Sequence, residues 1–304
     1  MKGKLFIIFI TLIFISGCKI WNLFRTGTTE VSIVSVNNNV CKRLYGDVLL
    51  YAIFVDTKET TPWSEYDIKS TLDSIKIATD WILKQAKARK KNLRIKILHP
   101  NNNGKIPIVL DLPQKTLRAS LYTPNLLLGV KSVQKWSDKI ASIIGKNLPP
   151  DTSKIIATKN NFKDKERLIA RLRDEYKTDN VALIYFINNY YKEEISVAIY
   201  CNSYTDIEYS VVSFKQPSVI AHEFLHLFGA WDLYYSPFNK KKIEKSRKEF
   251  VNKEFPNEIM AYAHRNIDSL EISPFTEYCI GWTNKLDEKY SSMILGQKLK
   301  TVKY

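Results

Sequence analysis

Apolar positions along the chain follow two rhythms, one of strands and one of helices. Gly46 to Val55, G-D-V-L-L-Y-A-I-F-V, is an almost unbroken apolar run, which predicts a strand buried on both faces. Between Tyr66 and Lys90 the apolar residues Ile68, Leu72, Ile75, Ile77, Ala78, Trp81, Ile82 and Ala86 recur at helical spacing and predict a long amphipathic helix. Leu93 to Leu98 reads as a second strand, and Ile106 to Leu112 as a third. Val130 to Ile144 reads as a helix, ahead of a break at Pro149-Pro150. Asp164 to Lys177 is a further helix, with Asp164 placed to cap it. Val181 to Ile187, Ile195 to Tyr200 and Tyr209 to Phe214 then return to strand spacing. Pro217 and Ser218 open the next helix, with the proline in its first turn and Ser218 as the expected cap. Asn239 to Phe255 is rich in charge. Its pairs at helical spacing, such as Glu244 with Lys248, predict a solvated helix. A final helix is expected from Ser273, with Pro274 in first position and Gly281 at its end.

This order predicts an α+β fold in a single domain spanning residues 45–304. No internal repeat or second domain interrupts it, and the length suffices for a sizeable core.

The first residues alter the picture. Lys2 and Lys4 precede an apolar stretch from Leu5 to Ile15, and Ile15-Ser16-Gly17-Cys18 follows. The stretch is short for a membrane span. The pattern resembles a bacterial lipoprotein signal, which implies a signal peptide over residues 1–17 and acyl chains on Cys18. Residues 18–44 would then be a lipidated tether with one short strand, Val31 to Val36. The resemblance implies an exported, envelope-bound protein, and Lys19 after the cysteine points towards the outer membrane. Export permits disulfides. Cys41, Cys201 and Cys279 allow one bridge with one thiol left over.

The net charge is +15, from 46 basic and 31 acidic residues. The basic residues are dispersed and no nucleic-acid motif accompanies them, so no nucleic-acid partner is expected. Such charge draws a protein towards an anionic envelope surface; a lysine-rich composition is the plainer reading.

The most informative residues are 222–232, H-E-F-L-H-L-F-G-A-W-D. His222 and His226, two of only four histidines, lie one helical turn apart on one face. That spacing suits two corners of a zinc tetrahedron. Glu223 can serve a metal-bound water as a base without being a ligand. Gly229 lets the chain turn back, so that Asp232 can become the third ligand. His264 is the rival third donor, or a substrate-binding group near the cleft. His99, before Pro100, reads as a loop residue.

The longer pattern H-E-x-x-H-x-x-G-x-x-D resembles the zinc signature of the metzincin metallopeptidases, in the variant seen in the snapalysin group. P-N-E-I-M-A-Y at 256–262 supports the resemblance. Met260 fits the methionine that packs beneath the metal in that family. Tyr262, two residues on, fits a tyrosine that reaches the metal or the oxyanion. The resemblance implies a twisted mixed sheet with long helices over an active-site helix, and a small, mostly helical lower part holding the methionine turn. It implies a zinc endopeptidase acting on polypeptides, with Glu223 as base. The substrate would lie along a strand between Ile195 and Phe214. Two other readings stay open. One is a non-catalytic zinc-binding envelope lipoprotein, and the other a zinc hydrolase of a non-protein envelope amide.

Overall fold

The structure, a computed structural model, describes residues 41, 43–56, 60–100, 108–109, 126–146, 164–178, 180–188, 196–199, 207–234 and 242–290. Cys18, Cys201, Pro149-Pro150 and the expected strand Val31 to Val36 lie outside them. One six-stranded sheet organises the fold. Strand β1 (Gly46–Asp56) runs parallel to β2 (Leu93–Leu98) on one side and to β4 (Asn180–Ile187) on the other. The short β3 (Ile108–Val109) pairs with the end of β1. Beyond β4 lies the parallel β6 (Tyr209–Val212), and then β5 (Ser196–Ile199), antiparallel to β6 and last in the order β2-β1-β4-β6-β5.

Parallel strands are stable when both faces are covered. The apolar runs Val48 to Val55 and Val181 to Ile187 are buried throughout. Successive residues of a strand point to opposite faces. On one face, Tyr185 meets Trp136 of α2 (Leu126–Lys146) edge-on at 5.3 Å. Lys165 of α3 (Asp164–Tyr176) lies 4.6 Å from the Tyr209 ring. On the other face Phe186 stacks on Phe54 at 5.6 Å. That face also bears α4 (Pro217–Leu227), whose Glu223 carbonyl accepts from the Ser210 hydroxyl at 3.0 Å. Helix α1 (Glu65–Ala88) packs against α4. Its start is fixed by a capping box, in which Ser64 accepts from the Asp67 amide and the Asp67 carboxylate accepts from the Ser64 amide.

Helix and sheet are thus mixed as the periodicity predicts, with differences at the ends. The third strand covers only Ile108–Val109 among the described residues. The cap expected at Ser218 falls at Gln216. Pro217 occupies the first helical position, so the residue before it becomes the cap, and its carbonyl accepts from Val219 and Ile220.

The remaining helices follow α4. The charged helix is α5 (Lys242–Glu254), the methionine lies in α6 (Ile259–Tyr262), and Ser273 caps α7 (Pro274–Cys279) through its hydroxyl. The two ends of the described chain are stitched together. The Leu44 amide donates to the Ile280 carbonyl at 2.9 Å, and the Trp282 indole donates to the Leu44 carbonyl at 2.6 Å. Among the described residues no helix is long and apolar enough to cross a membrane.

Candidate metal centre

Every residue of α4 from Ser218 to Leu227 is buried. A helix apolar on most sides belongs in a core, and it takes the polar side chains of His222 (0% exposed) and Glu223 (1%) in with it. The helix ends in a tight bend. The Gly229 amide donates to the His226 carbonyl at 2.9 Å and the Ala230 amide to the Leu225 carbonyl at 3.2 Å. Gly229 has φ +97°, and a Cβ there would lie 3.0 Å from the Cys279 carbonyl oxygen. Glycine therefore answers two constraints at once, one of backbone conformation and one of space. Beyond the bend the chain brings Asp232 back to the helix.

Three donor atoms converge. His226 Nε2 lies 3.0 Å from His222 Nε2 and 3.0 Å from Asp232 Oδ1, and His222 Nε2 lies 3.1 Å from Asp232 Oδ1. A tetrahedral ion with bonds of about 2.05 Å would hold its donors about 3.3 Å apart, close to the spacing found. The group can hold a metal ion.

The tautomers agree with that use. His222 Nδ1 is 3.2 Å from the Ile259 carbonyl, and His226 Nδ1 is 2.8 Å from the Ala230 carbonyl. A carbonyl only accepts, so both Nδ1 atoms carry the proton and both Nε2 lone pairs face the shared point.

The electrostatics express a demand for positive charge there. Burial opposes charging His226, but Asp232 and Glu223 outweigh it and raise the imidazole to about 9. For Asp232 burial is likewise outweighed, here by the two imidazoles, and its carboxyl sits well below the usual carboxylate range. Burial and the neighbouring His226 lower His222. A proton on His226 and a cation between the three donors satisfy the same demand, so they compete. Burial pushes the Glu223 carboxyl up to about 8, and its Oε2 has no hydrogen-bond partner among the described residues. A buried carboxylate oxygen without a partner is costly, and a carboxyl raised in this way beside a candidate metal site is suited to handling a proton.

The floor of the site is α6. Met260 is fully buried, and its carbonyl accepts from the Leu233 amide at 3.0 Å, next to Asp232. One carboxylate holds this floor together. Glu258 accepts from the Met260 amide at 3.0 Å, the Thr276 hydroxyl at 3.1 Å and the Ser273 amide at 2.5 Å.

The remaining candidates are placed as follows. The Tyr262 hydroxyl donates to Asn252 Oδ1 of α5, and the Arg265 guanidinium lies 3.8 Å from its ring centre. A role for this phenol at the metal would require breaking that bond. His264 is exposed and lies outside the donor group. Its ring is 6.1 Å from Phe214. Tyr234, which the sequence pattern does not single out, sets its ring 6.3 Å from that of His222 at an interplanar angle of 29°. Its position two residues after Asp232 was the available signal. Cys41 is buried as a thiol whose pKa burial and Glu208 push up, which marks it as unreactive. Comparison with protein-family models, with curated proteins and with solved structures finds no match.

Proposed function

We propose that the chain is a zinc-dependent endopeptidase, tethered to a bacterial cell envelope through lipid on Cys18. The observation that carries the proposal is the triangle of His222 Nε2, His226 Nε2 and Asp232 Oδ1. Two imidazoles and one carboxylate match the donor set of catalytic zinc sites that keep one position open. A structural site has no use for a buried carboxylate such as Glu223 at its margin.

His222, His226 and Asp232 would hold a zinc ion, which would supply Lewis acidity to the scissile carbonyl and to water. Glu223 takes the proton of the attacking water and returns it to the leaving amine. The Ile259 and Ala230 carbonyls keep both imidazoles aimed while charge develops. Asp232 lowers the net charge of the site relative to a third imidazole. An extended peptide would add to β5, whose far side is unpaired among the described residues, through backbone hydrogen bonds tolerant of side chains.

The test uses purified chain loaded with zinc and assayed on casein, with and without a chelator, beside Glu223→Gln. The expected result is one equivalent of zinc in both forms, with cleavage by the wild type alone. Cleavage by Glu223→Gln at the wild-type rate would overturn the mechanism. Products from cell-wall amides but not from peptides would move the substrate to the envelope polymer. Metal retention with no product from either would favour a binding module.

A further inference from the structure

We infer that the end of the sheet where β1 and β2 begin is a docking face for an anionic lipid bilayer, formed by Lys84, Lys87, Lys90, Lys91 and Lys177 around the exposed ring of Tyr45. The inference rests on the lipoprotein reading only for the direction from which the bilayer approaches.

Residues 84–96, K-Q-A-K-A-R-K-K-N-L-R-I-K, hold seven basic residues and no acidic one. Three of the seven are committed within the fold. Arg89 pairs with Glu277 and donates to the Ile272 carbonyl at 2.6 Å. Arg94 grips Asp47 with bonds of 2.6 and 2.7 Å, and Lys96 lies 4.5 Å from the Tyr176 ring centre. Of the acids nearby, Asp47 holds Arg94, Glu277 holds Arg89, Asp80 holds Lys76, and the exposed Glu175, beside Lys177, is hydrogen-bonded to Tyr176. Lys84, Lys87, Lys90 and Lys91 have no ion-pair partner among the described residues, and all but the half-buried Lys91 are exposed. A helix C-terminus favours a basic group in its last turn, but that effect accounts for one or two lysines here, not four.

The backbone gives a second observation. Lys90 (φ 55°) and Lys177 (φ 51°) are the only non-glycine residues with positive φ among those described. They follow the ends of α1 and α3, where glycine is the usual residue because a Cβ is penalised. The chain keeps a lysine at both places.

These turns meet at one end of the sheet. The Gly46 amide donates to the Asn92 carbonyl at 2.8 Å, which sets the start of β1 beside Lys90 and Lys91. The Thr178 hydroxyl donates to the Asp47 carbonyl at 2.5 Å, and Asn180 Nδ2 donates to the Tyr45 carbonyl at 3.4 Å. These bonds bring the Lys177 turn to the same place. Tyr45 is 54% exposed, and an aromatic ring with a polar tip suits the headgroup region.

The tether points the same way. Residues 19–40 separate Cys18 from the described chain, a span of at most about 75 Å when extended. That chain enters the fold at Cys41 to Tyr45, beside the lysines. The tether thus joins the fold on the side that carries these lysines. Strand β5 lies four strand spacings from β2 and two from β4, about 19 and 10 Å, at the edge away from the α1 lysines.

The experiment measures sedimentation of the full chain carrying Cys18→Ser with vesicles of phosphatidylglycerol and phosphatidylcholine, and with phosphatidylcholine alone. One variant carries Lys84→Gln, Lys87→Gln, Lys90→Gln and Lys91→Gln. A control carries Lys69→Gln, Lys139→Gln, Lys248→Gln and Lys253→Gln, the same change in net charge. All share the first 17 residues, and circular dichroism checks their folding.

Binding to the anionic vesicles is expected to be salt-sensitive, to fall on the order of 100-fold in the first variant, and to change little in the control. An equal fall in the control would overturn the proposal, as would equal binding to neutral vesicles. Vesicle binding untouched by the four substitutions while retention on duplex DNA falls would assign the patch to nucleic acid instead. Mass spectrometry of the wild type exported from a bacterial host reads the other question separately. An unmodified Cys18 would end the lipoprotein reading and leave the vesicle result standing.

Discussion

His226 Nδ1 donates to the carbonyl of Ala230 at 2.8 Å, and Ala230 stands in the bend that delivers Asp232. One turn of chain therefore sets the tautomer of the second imidazole and the position of the carboxylate together. The two donors are coupled through backbone, and what disturbs one disturbs the other.

Gly229→Ala tests that coupling. The added Cβ meets the Cys279 carbonyl at 3.0 Å in a backbone conformation that disfavours side chains. The expected cost is about 1–3 kcal/mol of stability. Zinc affinity should drop by about 10–100-fold. Thermal unfolding and competition titration against a chelating dye measure the two effects. Full affinity in the variant would show that the bend does not hold the donors.

Asp232→Asn keeps the shape and removes the charge. Zinc affinity should fall by at least about 100-fold, while His264→Ala, at an exposed position outside the donor group, should retain the wild-type stoichiometry. Metal analysis of both variants after dialysis gives the result directly. Zinc lost from the His264 variant and kept by the Asp232 variant would reverse the assignment.

The two tyrosines should separate kinetically. Tyr262 gives its hydroxyl to Asn252, so Tyr262→Phe is expected to leave kcat/KM within about threefold of the wild type and to cost about 1 kcal/mol of stability. Tyr234 lies beside the His222 ring, and Tyr234→Phe is expected to lower kcat by about tenfold or more with little change in KM. The reverse order in steady-state assays would place Tyr262, and not Tyr234, beside the reacting groups.

Glu208 imposes a pH dependence away from the metal. Burial raises its carboxyl to about 8, above the ordinary 4.5. The folded state thus keeps a proton that the unfolded chain releases. The stability linked to this group is complete below about pH 4.5 and is lost progressively as pH rises to about 8. Glu208→Gln should unfold at higher denaturant concentration than the wild type at pH 8, with the gap narrowing towards pH 5. A gap independent of pH between those limits would show that the group does not titrate as stated.

Much of this was legible in the chain because periodicity reports burial. Leu93–Leu98 reads as a strand and is one, and the run Gly46 to Val55 lies at the heart of the sheet. The spacing of His222, His226 and Asp232 predicts convergence, and the three meet. What the sequence hid depends on chain reversal. The carbonyls of Ile259 and Ala230 fix the imidazoles, and a carbonyl leaves no mark in a sequence. Glu258 looks like a surface acid until Ser273 and Thr276 fold against it. Arg89 and Glu277 pair across 188 positions. Ser218 misleads because Pro217 takes the first helical position, which sets the cap at Gln216, two residues earlier.

The stitch between Leu44 and the Ile280–Trp282 segment would decide how the chain, tethered as proposed, bears force. A pull on the residues before Leu44 would be shared at once with the Ile280–Trp282 segment through two hydrogen bonds. What passes on enters β1, which is clasped lengthwise by β2 and β4. Those bonds lie across the line of pull and would have to yield together, in shear rather than one by one. In a molecule held through Cys18, as proposed above, drag would thus fall first on the middle of the sheet.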